Sequence, residues 1–143
     1  MNIDQEWENY VYQKLHLQKI DNANFIDFTN NYKEIINELL SFIATFRQYK
    51  FLFNLDLENI LYDSNTHRFT LINLKDAKFK LNKLSNDEYY FNFISLYFSI
   101  CKKYHHNINL ISYLKKQIVN YIPIKELHNF HFISNSTLID LYV

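Results

Sequence analysis

The sequence contains no glycine at all, one proline (Pro123), one cysteine (Cys101) and no net charge. Each scarcity excludes something. Glycine-based phosphate cradles need backbone to approach phosphate with no Cβ in the way. Walker A, Rossmann and kinase Gly-rich loops are therefore all absent. A single cysteine excludes a disulfide framework and a Cys-based zinc site. Cys101 lies in an apolar run, which predicts a buried structural thiol. Equal numbers of basic and acidic residues, 15 of each, give nothing to attract nucleic acid or an anionic membrane. Nor is there a long hydrophobic run. The longest, Tyr89 to Cys101, is broken by Asn92, Ser95 and Ser99, and is too short and too polar to span a bilayer. The opening residues, Met1 to Glu6, show no basic start and no apolar stretch, so no secretory signal is expected. These features predict a soluble, cytoplasmic protein, in its own or a host cell, that makes no use of a membrane.

What the chain has is size and aromatic side chains. Its 143 residues suit one domain, 1–143, with a core that needs no staples. Hydrophobic residues make up 48%, enough to exclude intrinsic disorder. Asn, Lys, Ile, Tyr and Phe together exceed half of the chain. All five have A/T-rich codons, so the composition reads as the mark of an A/T-rich genome. Twelve Tyr and thirteen Phe are more than a core of this size needs, which leaves aromatics for an interface.

Periodicity predicts an α+β, mostly helical fold. Trp7, Tyr10, Val11 and Leu15 recur at helical spacing in a helix over 4–19, and Asn24–Phe28 reads as a short strand. The clearest helix runs from Lys33 to Lys50, with Ile35, Ile36, Leu39, Leu40, Ile43 and Phe46 on one face. Ile60–Tyr62 and Phe69–Ile72 flank the turn formers Asp63-Ser64-Asn65-Thr66 and predict a β-hairpin. Ser85-Asn86-Asp87 is expected to cap a helix over 88–104. A further helix, Ile108 to Tyr121, ends before Pro123, and the tail over 124–143 is expected to pack as short helices.

One region carries a motif. Phe51-Leu52-Phe53-Asn54-Leu55-Asp56-Leu57-Glu58-Asn59-Ile60-Leu61 resembles the catalytic loop of the protein-kinase-like fold, H-x-D-L-x-x-x-N-I-L. Phe69-Thr70-Leu71-Ile72-Asn73-Leu74-Lys75 resembles that family's strand and metal-binding turn, L-I-D-F-G. The order of parts agrees: long helix, loop, hairpin, turn, helix. The resemblance spans 33–104 and corresponds to a C-terminal lobe. It places Asp87 at the start of the family's central helix, where an aspartate holds the catalytic-loop backbone. The short span from Asn73 to Asp87 is more like small-molecule or minimal effector kinases than regulated ones.

The departures decide what the resemblance implies. Phosphoryl transfer needs a carboxylate to orient the nucleophile and take its proton, and Asn54 stands there. The metal turn needs a carboxylate, and Asn73 is a weaker, neutral ligand for a hard dication. Asn59 is the one metal-side group retained. Asp56 stands where the family often has a phosphate-facing lysine. As a displaced base it would lie too close to Asn59 in sequence. Residues 1–32 leave no room for the β-rich lobe that covers a nucleotide. The expectation is a catalytically inactive, pseudokinase-like protein-binding module or regulatory subunit with no cofactor and no metal.

Two alternatives remain: a minimal ATP-dependent phosphotransferase with a rearranged site, and a small structural or nucleic-acid accessory subunit. Lys75, Lys78, Lys80 and Lys83 are expected to form a solvated strand edge rather than a phosphate track. His105-His106 point to different faces of a helix and suit one metal poorly. His128 and His131 have metal-binding spacing but no evident third ligand beyond Glu126 or Asp140, and read as surface histidines.

Overall fold

A computed structural model describes residues 3–123. The expected tail helices, with His128 and His131, lie outside the described residues. Among the described residues the fold is α+β, about 54% helical, with a small antiparallel sheet. Helix α1 spans Ile3–Lys14, followed by strand β1 (Asn24–Phe25), α2 (Tyr32–Ala44), the short α3 (Phe46–Tyr49) and β2 (Phe51–Leu52). Strands β3 (Ile60–Asp63), β4 (Arg68–Leu71) and β5 (Lys78–Phe79) come next, then α4 (Asn86–Tyr104) and α5 (Ile108–Ile118). Among the described residues no helix is long and apolar enough to cross a membrane.

The hairpin forms where the turn formers placed it. Ile60 pairs with Leu71 and Asp63 with Arg68, all antiparallel, and β1 joins the free edge of β3. Asp63 closes the turn by accepting from the Thr66 hydroxyl at 2.9 Å and the Asn65 amide at 3.0 Å. Those bonds hold its carboxyl below the ordinary carboxylate range. A second, two-stranded sheet pairs β2 with β5, Phe51 opposite Phe79 and Leu52 opposite Lys78. The lysine-rich segment is thus paired along one side. Its exposed Lys80 turns to Glu88 at 3.2 Å.

Without glycine, tight reversals fall to other residues. His16, Asn31, Lys50, His67 and Asn73 all take left-handed φ angles between 56° and 58°. Asn adopts this region at the least cost among non-glycine residues. His16 ends α1 before the stretch expected to extend it, as Leu17 N–H reaches back to the Tyr12 carbonyl at 2.8 Å. The expected 33–50 helix is divided at Thr45, whose hydroxyl donates to the Phe42 carbonyl at 2.6 Å. Such back-bonding competes with the helical ladder.

Ser85 caps α4 as expected, in a reciprocal box with Glu88. Ser85 N–H donates to the Glu88 carboxylate at 3.0 Å, which holds that carboxyl low. Helix α4 is the centre of the fold, with Phe93, Ile94, Leu96, Tyr97 and Ile100 buried in one core with Phe28, Ile36, Leu40 and Phe51. Cys101 packs against that core half-buried, less enclosed than its apolar run implies.

Candidate functional site

The loop between β2 and β3 and the turn after β4 lie side by side, because both sheets tie them together. At one end β2 pairs with β5, and at the other β3 pairs with β4. Ile72 N–H donates to the Asn59 carbonyl at 2.8 Å, continuing the hairpin into the turn. The Asn59 amide nitrogen donates to the carbonyl of Ile72 at 3.2 Å and, more weakly, to that of Asn73 at 3.5 Å. The fold thus brings Asn59 and Asn73 together across the hairpin.

The atoms at this site are largely committed to structure. Asn59 Oδ1, the atom a metal would take, accepts from the Asp56 N–H at 3.2 Å. Asp56 Oδ1 in turn accepts from Glu58 N–H at 2.9 Å. The two residues form a reciprocal cap on the short 3-10 turn Leu57–Asn59. Asp56 therefore has a structural task at its position, and Asn54 is exposed. Asn73 is exposed and takes its left-handed conformation to turn the chain into Leu74–Asp76.

Helix α1 closes over this turn. Trp7 Nε1 donates to the Leu74 carbonyl at 2.7 Å, and the Tyr12 hydroxyl donates to the Leu71 carbonyl at 2.6 Å. A cavity of about 350 Å³ remains between them, lined by Asp4, Trp7, Glu8, Asn73, Leu74 and Lys75. Two carboxylates facing one lysine make it a poor seat for a polyphosphate.

The loop's backbone is held from α4, by residues the resemblance did not single out. Phe53 N–H donates to Asn92 Oδ1, Leu55 N–H to Ser95 Oγ and Leu57 N–H to Ser99 Oγ, each at 2.9 Å. Asn92 also donates to the Phe51 carbonyl at 3.2 Å. Although Phe53 to Leu57 lies outside any strand, its alternate N–H groups fall on one side, as in extended chain. A helix offers side chains at i, i+3 and i+7 on one face, and the two periods match over this length. The resemblance assigns such a task to Asp87, which sits in the first turn of α4. The signal was in the sequence: Asn92, Ser95 and Ser99 are the polar breaks in the run from Tyr89 to Cys101.

No protein family, curated protein or solved structure matches the chain.

Proposed function

We propose that the chain is a catalytically inactive, pseudokinase-like module that works by binding another protein. The observation that carries this reading is the state of Asn59, the one metal-side group retained in the motif. Its oxygen and its amide are both engaged with the protein's own backbone. Amides at Asn54 and Asn73 and the acidic lining contributed by α1 support the same reading. So does the agreement between the order of parts and the family's C-terminal lobe.

A protein partner is supported by the surface beside the site. Trp7, Tyr10 and Phe79 form an aromatic group, with Trp7 and Tyr10 stacked at 5.7 Å. It borders a concavity of about 760 Å³ lined by Trp7, Phe79, Leu81, Lys83 and Glu88. Leu81 is 94% exposed. Aromatic side chains with a few charges around them are typical of the centre and rim of protein interfaces.

Incubation of the purified chain with labelled ATP, Mg²⁺ or Mn²⁺ and protein or small-alcohol acceptors tests the loss of chemistry. No phosphoryl transfer above the buffer control is expected. Transfer that disappears in Asp56→Ala would establish the rearranged phosphotransferase instead.

A further inference from the structure

A second cluster lies at the opposite end of the hairpin, where its turn meets α2. Glu34 and Glu38 stand four residues apart and so share one face of α2. The β3–β4 turn delivers His67 to that face. One ligand atom from each of the three lies within 4.8 Å of the other two. His67 Nδ1 is 2.9 Å from Glu38 Oε1 and 3.9 Å from Glu34 Oε1. The Tyr62 hydroxyl donates to the other Glu38 oxygen at 2.7 Å and lies 3.1 Å from His67 Nδ1.

Three oxygens therefore converge on one imidazole nitrogen, and the Tyr62 proton is already directed to Glu38. The 2.9 Å contact is closed either by an N–H on Nδ1, which one neutral tautomer supplies, or by a metal ion bound there. A dication matches the charge of both carboxylates, which a neutral imidazole does not.

We propose that Glu34, Glu38 and His67 form a binding site for a borderline divalent metal ion of the Zn²⁺ class, independent of the kinase-like reading. Zinc bonds of 2.0–2.2 Å to oxygen and nitrogen place tetrahedral donors about 3.4 Å apart. The two observed nitrogen–oxygen separations bracket that value. Imidazole with carboxylates selects Zn²⁺ and its first-row neighbours over Mg²⁺ or Ca²⁺. Tyr62 occupies the second Glu38 oxygen, fixing the carboxylate and leaving Oε1 for the metal, as outer-sphere partners do. Glu34 and His67 border a cavity of about 420 Å³, lined also by Asp27, Asn31 and Tyr62, which leaves room beside them for a further ligand. A metal here ties α2 to the turn of the hairpin that carries Asn59 and Asn73.

The test is calorimetric titration of the full chain with Zn²⁺, paired with the visible spectrum of the Co²⁺ complex. Two variants are compared. Glu34→Gln changes an exposed residue, and His67→Asn keeps a side chain that tolerates the left-handed turn. Circular dichroism checks that both are folded. One ion per chain is expected, with affinity reduced at least tenfold in each folded variant and the tetrahedral Co²⁺ absorption lost. Unchanged affinity in either folded variant would place the metal on other histidines and overturn the proposal. No saturable binding up to millimolar Zn²⁺ would overturn it too.

Discussion

Asn92→Leu is expected to lower the melting temperature by about 10 °C, although it adds apolar surface to a fully buried position on the central helix. Asn92 satisfies the Phe53 N–H and the Phe51 carbonyl at once. Leucine leaves both without a partner. An unsatisfied buried backbone group costs about 1–3 kcal/mol, so the pair costs about 2–6 kcal/mol, and a value of roughly 3 kcal/mol is expected. For a chain of this length each kcal/mol corresponds to about 2–4 °C. Ser99→Ala, the same loss at the half-buried end of the ladder, is expected to cost about 1 kcal/mol, because water can reach the freed N–H. Thermal and urea unfolding of the two variants measures both numbers. Equal and small losses would mean that α4 does not hold the loop.

Phe51→Ala is expected to cost more, about 3–5 kcal/mol, by leaving a cavity that its neighbours cannot close. The Phe51 ring is fully buried and meets Phe46 at 4.9 Å, Phe79 at 5.0 Å and Phe53 at 5.9 Å between centroids. It also sits in β2, so the cavity opens where the two-stranded sheet joins loop to helix. Domains are typically stable by only about 5–15 kcal/mol. The variant is therefore expected to unfold in low urea or to accumulate poorly. Phe51→Leu keeps most of the volume and is expected to lose about 1–2 kcal/mol. A small loss in both variants would show that the aromatic group is not the base of the fold.

Much of this architecture was legible in the sequence. The apolar stripe of α2, the turn formers of the hairpin and the Ser85–Glu88 box each carry a local signal stronger than any competing one. Local signals failed where no local cause exists. Nothing near Lys78–Phe79 says that it pairs with Phe51–Leu52, since two-residue strands have almost no pattern of their own. Nothing near Thr45 or His16 marks a break as clearly as glycine would, and this chain has none. The candidate site divides the same way. Asn54, Asn59 and Asn73 were visible as a spaced motif, whereas the ladder from α4 depends on a strand period matching a helix period across the fold. The Glu34–Glu38 pair is readable as helical spacing, but only the folded hairpin brings His67 to it.

The central proposal, that the loop and turn carrying Asn54, Asn59 and Asn73 serve no nucleotide chemistry, is tested most directly by thermal unfolding of the purified chain. It is measured alone, with Mg²⁺ or Mn²⁺, with ATP, and with both. The metal-only arm accounts for any ion taken by Glu34, Glu38 and His67. A ligand that binds only the folded state adds about 2.7 kcal/mol at a hundred times its dissociation constant, a rise of several degrees at this size. No rise that requires ATP and metal together is expected. A rise of several degrees that requires both would show that the chain receives a metal–nucleotide complex and would contradict the account.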